Sequence, residues 1–315
     1  MLAVLTVVAP VFGVILLGYL SVVFRLLPES SGKGLSDFVF SVSMPALLFH
    51  TMATMADAGV APLGLILGYF GTSFLVWGLA SLATTRLLAR PATDAPSISM
   101  ASCFGNTVML GLPLGTAYFG AAAAPAIAVI VAAHAPTLWV IATLQQEWLE
   151  RDGSSERTHS RLAGVAVDLI TNPIVFSVVA GALWHLLGLG LWSIPDRLLS
   201  LLGEGAVPGS LFALGMGLTR FEARSDTPAL ALITTLKLAV FPVLAWLASR
   251  YLLGLSPIGV DAVTLLAACP TGANAFLFAS RFEKATGPVS GAIAVGTTLA
   301  AVTISAVLLI LGRPG

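Results

Sequence analysis

Residues 102–113 read SCFGNTVMLGLP and residues 268–276 read ACPTGANAF, and these two runs decide how the chain folds. Each places glycine, asparagine and proline inside a long apolar stretch. Proline removes a backbone donor and clashes with the preceding turn, while glycine lets the chain leave helical angles. Backbone groups freed in lipid must be buried in protein or line a wet cavity. The two runs therefore predict a pair of interrupted membrane helices.

The composition of the chain is that of a polytopic membrane protein. Hydrophobic residues make up 57% of the 315 residues, charged residues only 10%, and the mean hydropathy is +0.96. A soluble domain has about 45–50% apolar and about 25% charged residues. The formal net charge of zero argues against a nucleic-acid-binding surface. Because there are two cysteines and no Cys/His cluster, we expect no disulfide framework, no metal site and no cofactor.

Ten apolar stretches are long enough for helices of roughly 20 residues, the length that crosses a bilayer. The first begins at Met1 without a basic segment, which predicts a retained helix and not a signal peptide. Connections are short, and the longest is the charged stretch 147–161. The predicted spans lie near residues 2–24, 35–55, 62–85, 98–119, 121–146, 163–187, 197–219, 228–252, 260–280 and 288–312.

Basic residues are unevenly distributed among the connections, and the side that carries more of them is expected to be cytoplasmic. The odd-numbered connections hold eleven, whereas the even-numbered connections and the C-terminus hold three. This bias predicts an inner-membrane protein with both termini outside and a cytoplasmic loop over residues 148–162. The eleven are Arg25, Lys33, Arg86, Arg90, Arg151, Arg157, Arg161, Arg220, Arg224, Arg281 and Lys284, and the three are Arg197, Arg250 and Arg313.

The chain repeats short patterns at an offset of 163 to 168 residues. The spacing between the first two matched prolines, 35 residues, is the same in both halves. Since each half holds five predicted spans, the second copy is expected to lie inverted in the bilayer, a plan common among secondary transporters. The matches are Pro10 and Gly18 with Pro173 and Gly181, Pro45-x-x-Leu48-Phe49 with Pro208-x-x-Leu211-Phe212, and Leu79-Ala80-Ser81 with Leu247-Ala248-Ser249.

Paired helix breaks at corresponding positions of two repeats point to a transport site. Two half-helices that meet there aim the partial positive charge of their N-termini at a bound anion. The asparagines at the breaks, Asn106 and Asn274, can cap a half-helix or bind a ligand. The alternative is a pair of kinked packing helices, because glycine and proline are common in membrane helices.

Three stretches resemble the auxin efflux carrier family, which includes the plant PIN carriers and bacterial permeases for malate- and malonate-like acids. The resemblance covers the whole chain, and the run from Asn106 to Pro113 is its most specific part. The long central loop of many plant members is missing here. The stretches are residues 45–50 (PALLFH), 105–114 (GNTVMLGLPL) and 270–276 (PTGANAF), with Lys237-Leu238-x-x-x-Pro242 in span eight.

The resemblance implies an all-α membrane fold of ten helices in two inverted five-helix repeats, with broken helices four and nine crossing at the substrate site. It implies a scaffold that forms a homodimer, made of helices one and two (residues 1–60) and six and seven (163–222). Helices three to five (61–147) and eight to ten (223–315) then form the moving transport unit.

The predicted function is a secondary active carrier that moves small organic anions (mono- or dicarboxylates or auxin-like weak acids) by alternating access. The coupling ion is left open between H⁺ and Na⁺, because carbonyls of a broken helix can hold Na⁺ without acidic side chains. Substrate binding is assigned to Asn106, Asn274, Thr271, Gly272 and Gly111, maintenance of the breaks to Pro113 and Pro270, and charge balance or coupling to Lys237 and Glu204.

Four ionisable side chains inside predicted spans have alternative readings. Lys237 costs roughly 2.5–3.5 kcal/mol to insert at mid-span, so it is expected to have a partner or a function, unless it reaches toward the cytoplasm. Glu204 either takes up protons or lies at the aqueous interface. His50 and His134 are candidate proton carriers because histidine titrates near neutral pH, although hydrogen-bonded packing is the commoner role.

Three rival classes are compatible with parts of the sequence. An intramembrane protease needs a nucleophile and a base together, and Ser290 has no histidine near it in the sequence. A channel also tolerates inverted repeats, but saturable flux and counterflow distinguish a carrier. The bile-acid sodium symporter family shares the ten-span plan with crossed helices, and residues 215–218 (GMGL) are similar to it.

Overall fold

The computed structural model describes residues 2–54, 62–150, 172–221 and 226–312, with side chains from residue 6 onward. Most of the predicted loop 148–162 and the first part of the predicted span 163–187 lie outside the described residues. The same is true of some of the basic residues behind the predicted orientation, namely Arg151, Arg157, Arg161, Arg224 and Arg313.

Helices make up the regular structure of the described residues, apart from one isolated backbone bridge between Gly105 and Thr271. Seven of the described helices are long and apolar enough to cross a bilayer. The prediction of an all-helical integral membrane protein is therefore confirmed. The helices are α1 (Leu2–Val23), α2 (Glu29–Ala53), α3 (Pro62–Arg86), α4 (Ala95–Cys103), α5 (Thr107–Phe119), α6 (Ala121–Leu149), α7 (Pro173–Leu186), α8 (Ser193–Leu218), α9 (Thr227–Leu252), α10 (Pro257–Ala268), α11 (Ala273–Phe282) and α12 (Thr286–Leu311).

Predicted spans four, six and nine correspond to shorter helices. Span four is divided into α4 and α5, and span nine into α10 and α11, so both stretches leave helical geometry where glycine and proline cluster. Span six is represented by α7, which begins at Pro173. The side chain of Asn172 caps this helix by accepting a 2.9 Å hydrogen bond from the Ile174 N–H.

Three helices widen into a π turn just before a proline. A proline cannot donate a hydrogen bond to the residue four positions earlier, and its ring crowds that carbonyl, so a wider turn relieves the clash. In α5 the carbonyl that loses its donor belongs to Met109, and the Ser210 hydroxyl of α8 donates to it across 3.2 Å. The turns are Val39–Ser43 before Pro45, Thr107–Gly111 before Pro113, and Leu236–Val240 before Pro242.

Helices α1, α2, α7 and α8 pack together through close glycine contacts. Gly18 of α1 lies against the carbonyl group of Phe212 in α8, and Gly181 of α7 lies against that of Phe49 in α2. A side-chain carbon on Gly181 would come within 2.6 Å of the Phe49 oxygen. Small residues allow this close backbone approach between membrane helices. The two glycines therefore set how closely these helix pairs pack.

Polar side chains tie α3, α4 and α6 to one another. The Trp77 indole N–H donates to Gln145 Oε1 across 2.7 Å, and the Gln145 amide donates to Ser81 Oγ across 3.1 Å. The hydroxyls of Ser81 and Ser99 are 2.8 Å apart. Helices α9, α10 and α12 pack beside these three helices. The interruptions of the broken helices lie within this second group.

Candidate functional site

The interruptions of the two broken helices lie side by side in the protein interior. We call them the junction, which is made of residues 104–106 and 269–272. The Asn106 N–H donates to the Pro270 carbonyl across 2.8 Å, and the Gly272 N–H donates to the Phe104 carbonyl across 2.9 Å. Backbone groups that have left their helices are thus satisfied by each other, as the apolar surroundings require.

Glycines allow the two backbone segments of the junction to approach each other closely. A side-chain carbon on Gly272 would lie 3.1 Å from the Gly105 oxygen and 3.3 Å from the Asn106 nitrogen. On Gly111, such a carbon would lie 3.0 Å from the sulfur of Cys269. The sequence assigns both glycines to the substrate site, as positions that allow close backbone approach, and in the structure both lie where the two broken helices meet.

One carbonyl at the C-terminal end of each first half-helix accepts a hydrogen bond from a side chain elsewhere in the chain. Thr271 donates its hydroxyl to the Ala101 carbonyl of α4 across 2.8 Å. Lys237 donates its amine to the Ala267 carbonyl of α10 across 2.7 Å. The last four carbonyls of a helix have no partner within it, and a cation also offsets the partial negative charge there. Thr271 and Lys237 therefore hold the junction together from within the protein.

His134 packs directly against the junction. Its Nε2 lies 3.2 Å from the Gly105 carbonyl, and its ring centre is 4.3 Å from that of Phe104. The amine of Lys237 lies 4.6 Å from the centre of the Phe241 ring, a separation at which a cation and a ring attract each other. The structure thus gives His134 a hydrogen-bonded packing position, and it gives the buried lysine the partner that the sequence predicted.

The N-terminal ends of the second half-helices, in contrast, have no side-chain cap. Helix α5 begins at Thr107 with Asn106 before it, and α11 begins at Ala273 with Asn274 as its second residue. Asn106 is 9% exposed and Asn274 is partly exposed. The first N–H groups of a helix lack partners within it and carry partial positive charge. The junction therefore brings together two open helix N-termini and two amide side chains.

The two predicted helix-breaking prolines lie in different places. Pro270 is part of the junction, where its carbonyl accepts the bond from Asn106. Pro113 lies inside α5, after the π turn Thr107–Gly111 and seven residues beyond Asn106. The structure thus associates Pro113 with the widened turn, and the interruption lies at residues 104–106 in front of it.

Glu204 and His50 lie on helices that pack away from the junction. Glu204 ends the first segment of α8, is exposed, and lies 3.8 Å from Arg197 on the same helix. His50 Nε2 lies 2.8 Å from Asp196 Oδ1 and so ties α2 to α8. Neither side chain is brought to the two asparagines by the structure.

Asp261 is an ionisable residue that the sequence analysis overlooked. It lies in the second turn of α10, is 7% exposed, and makes no hydrogen bond or ion pair among the described residues. An acidic residue within an apolar helix is the sequence signal that could have found it. No group of three His, Cys, Asp or Glu side chains that would hold a metal ion is found in the described part of the chain.

Comparison with known proteins places the chain among membrane transport proteins. The profile of the family described as membrane transport protein matches residues 3–308. A Rhizobium meliloti protein provisionally named a malonate transporter is 27% identical over 308 residues, which cover 96% of this chain and 93% of that protein.

Two eukaryotic proteins are similar as well. Auxin efflux carrier component 8 of Arabidopsis thaliana is 24% identical over 355 residues, covering 94% of this chain and 96% of that protein. The lysosomal cholesterol signaling protein of Mus musculus is 24% identical over 249 residues, covering 74% of this chain and 28% of the mouse protein. Two of these three similar proteins are thus matched along nearly their whole length.

Proposed function

Because the chain belongs to the membrane transport protein family, which is the auxin efflux carrier family that its motifs resemble, we propose that it is a secondary carrier of small organic anions. It is a transporter and not an enzyme. The proposal goes further in naming the substrate class, the site and the mechanism, which is alternating access.

The observation that supports this proposal is that the C-terminal helix ends at the junction have side-chain hydrogen-bond partners, whereas the N-terminal ends have none. Each C-terminal end, which attracts cations, already accepts a side-chain hydrogen bond at one carbonyl, from Thr271 in α4 and from Lys237 in α10. The N-terminal ends, which attract anions, have no side-chain cap and stand beside Asn106 and Asn274. A carboxylate accepts hydrogen bonds from main-chain N–H groups and from side-chain amides alike. The junction is therefore suited to binding an organic anion.

The names of two similar proteins support small carboxylates as the substrate class. One is provisionally a malonate transporter and another is an auxin efflux carrier, so both names refer to carboxylic acids or their efflux. In our proposal Asn106 and Asn274 contact the carboxylate directly. Thr271, Gly272, Gly111 and Pro270 shape the junction around it, and Lys237 supports the junction from the side.

We infer ten spanning helices in two inverted repeats, in which α4 with α5 is the fourth span and α10 with α11 is the ninth. The glycine contacts support this arrangement. Gly18 and Gly181 occupy matching positions of the repeat, and so do Phe49 and Phe212. Each glycine contacts the phenylalanine of the other half, which is the exchange that a two-fold axis between the repeats produces.

Two groups of helices provide the moving parts of an alternating-access cycle. Helices α1, α2, α7 and α8 form the scaffold in our proposal and pair with a second copy as a homodimer. The remaining helices carry the junction and move against the scaffold. The uneven distribution of basic residues favours an inner-membrane location with both termini outside and the loop between spans five and six inside.

Reconstitution into liposomes tests the proposal. Malonate, malate, lactate and indole-acetate are applied to the wild-type protein, to Asn106→Ala and to the control Thr116→Val, and both current and labelled uptake are recorded. Thr116 lies on α5, the helix that Asn106 precedes, but bonds only to carbonyls of its own helix. We expect saturable transport and counterflow of one acid in the wild type and the control, and loss of both in Asn106→Ala.

Three outcomes contradict the proposal in different ways. Normal uptake by a correctly inserted Asn106→Ala protein removes this residue from the site. Flux near the diffusion limit without counterflow indicates a channel. Sodium-dependent uptake of a steroid acid, in place of the small carboxylates, indicates a symporter of the bile-acid type.

A further inference from the structure

A crevice opens between α9, α10 and the end of α12, apart from the junction. Its volume is about 330 Å³. The connection between α9 and α10 lies on the side to which our proposed orientation assigns the outer aqueous phase. The crevice is lined by Trp246, Arg250, Tyr251, Pro257, Asp261 and Ile310, with neighbouring residues of the same helices.

Asp261 is the carboxylate of this crevice, and it has no partner among the described residues. Only 7% of the residue is exposed, and Arg250, which lines the same crevice, forms no ion pair with it within 4 Å. Its carboxylate borders the open crevice, so water rather than a protein group solvates it in this state. If the crevice closes, the carboxylate loses that water, and a bound proton or a cation would remove the resulting desolvation cost.

The surroundings of Asp261 favour a proton over a metal ion. The charged and titratable groups that line the crevice with it are Arg250 and Tyr251, both from α9, while α12 contributes Ile310 and Leu311. Helices α3, α5 and α6 also pack against α10. Their buried titratable groups are Tyr69 and His134, which lie together near the junction, and Tyr118, which donates to the Leu308 carbonyl of α12. The buried Lys237 of α9 donates to the Ala267 carbonyl at the other end of α10. A guanidinium repels a metal cation, and a hard cation prefers several oxygen ligands.

The position of Asp261 links this group to the junction. It is six residues before Ala267, which is about 9 Å along the helix axis. Lys237 binds the Ala267 carbonyl, so α10 carries a titratable carboxylate near one end and the junction at the other. A movement of α10 relative to the bilayer displaces both together. Moving an ionised and unpaired carboxylate through an apolar barrier is costly, whereas the protonated form moves more easily.

We propose that Asp261 takes a proton from the outer aqueous phase, and that the carrier reorients between its outward-open and inward-open states while Asp261 is protonated. The proton passes from a hydronium ion in the crevice to a carboxylate oxygen of Asp261, leaving water, and it returns to water when the carboxylate is next exposed. This inference rests on the proposed carrier function, because only a carrier reorients between outward-open and inward-open states.

The test is exchange of labelled substrate in proteoliposomes with saturating substrate on both sides. One series varies external pH at fixed sodium, over a range in which the ionisation of the substrate is constant, and a second series varies sodium at fixed pH. We expect wild-type exchange to accelerate as the outside becomes more acidic. Asp261→Asn, which is permanently neutral, should exchange rapidly and lose the dependence on external pH. The control Glu204→Gln removes an exposed carboxylate and should keep the wild-type dependence.

A second readout makes the result independent of transport. Infrared difference spectra of the purified protein during a pH titration report the carbonyl stretch of a protonated carboxyl group. At pH values where the solvent-exposed carboxyl groups are still ionised, the wild type and Glu204→Gln should show a band that Asp261→Asn lacks. Asp261→Glu should restore the band and the pH dependence, which distinguishes a lost proton site from damaged packing.

Each outcome supports the inference or overturns it. An Asp261→Asn protein that keeps the wild-type pH dependence overturns it, as does an infrared band that survives this substitution. Loss of a response to sodium in this variant, in place of the response to pH, assigns a metal ion to the crevice and overturns the proton. If the wild type exchanges none of the acids, the proposed function fails, and the infrared titration still decides whether Asp261 binds a proton.

Discussion

The backbone of Gly18 lies directly against the carbonyl group of Phe212, and the repeat-related pair Gly181 and Phe49 makes the same contact in the other half of the chain. The first pair joins α1 to α8, and the second joins α7 to α2. Residues at corresponding positions of the two repeats therefore make equivalent helix contacts. Substitutions at the two glycines should have similar effects, because both remove the same close approach between helices.

Gly18→Ala and Gly181→Ala are each expected to lower the stability of the protein by about 1–3 kcal/mol, the usual cost of overpacking. An added methyl group meets a neighbouring main-chain carbonyl that cannot move without displacing its helix. Thermal unfolding of the detergent-solubilised protein measures the effect. Gly13→Ala is the matched control, since Gly13 lies on the same helix as Gly18 and faces open space. Equal stability of all three variants contradicts the close contact.

Lys237→Met is expected to destabilise the protein by about 1–3 kcal/mol, because the buried Ala267 carbonyl then loses its donor. Transport should fall as well, since this bond fixes the end of α10 beside the junction. Lys33→Met removes a lysine from an exposed position and serves as the control. Unfolding curves and substrate exchange are measured on the same preparations. A stable variant with full transport rules out a supporting role for Lys237.

Gly272→Ala should abolish most transport, because a methyl group there crowds the Gly105 carbonyl and the Asn106 nitrogen across the junction. The two backbone segments of the junction must then separate by a few tenths of an ångström, which weakens the two hydrogen bonds between them. Gly296→Ala tests the specificity of the effect, since its added carbon would lie 3.9 Å from Pro270, an ordinary contact distance. Uptake assays on both variants give the comparison. Similar activity of the two shows that the junction tolerates the extra carbon.

Asn106→Asp is expected to affect stability and transport in opposite directions. A negative charge before the first turn of α5 is favourable by about 0.3–1 kcal/mol, so the melting temperature should stay the same or rise. The same charge repels an anionic substrate in direct contact with it by about 4 kcal/mol, for a separation of roughly 4 Å and an effective dielectric constant of about 20. Uptake should fall on the order of 1,000-fold at limiting substrate. A lower melting temperature contradicts the expected stabilisation of the helix start, and normal uptake contradicts the assignment of Asn106 to the substrate site.

Much of the fold follows from the sequence because membrane helices are specified by local composition. Runs of about 20 apolar residues predict spans, and the glycine and proline clusters at residues 102–113 and 268–276 predict where two of them break. The partners of Thr271 and Lys237 could not be predicted in the same way. Their acceptors, the carbonyls of Ala101 and Ala267, are main-chain atoms on other helices, and any residue there offers the same carbonyl.

Two acidic side chains illustrate what the sequence does not determine. The sequence assigns charge balance or coupling to Glu204, which in the structure lies on an exposed part of α8 beside Arg197. Asp261, to which the sequence analysis assigns no role, is buried and has no partner among the described residues. Which face of a helix is covered depends on its rotation against its neighbours, and a short amphipathic pattern does not fix that rotation. Pro113 was placed at the break for a similar reason, since a proline marks a disturbance only to within a few residues.

The junction is joined by main-chain atoms, and this has a consequence for how such carriers diverge. Hydrogen bonds between the Asn106 N–H and the Pro270 carbonyl, and between the Gly272 N–H and the Phe104 carbonyl, require room but no particular functional group. Side chains facing the open helix ends can therefore be exchanged during evolution without rebuilding the backbone that holds them. One architecture can thus give rise to carriers with different cargoes through a small number of substitutions.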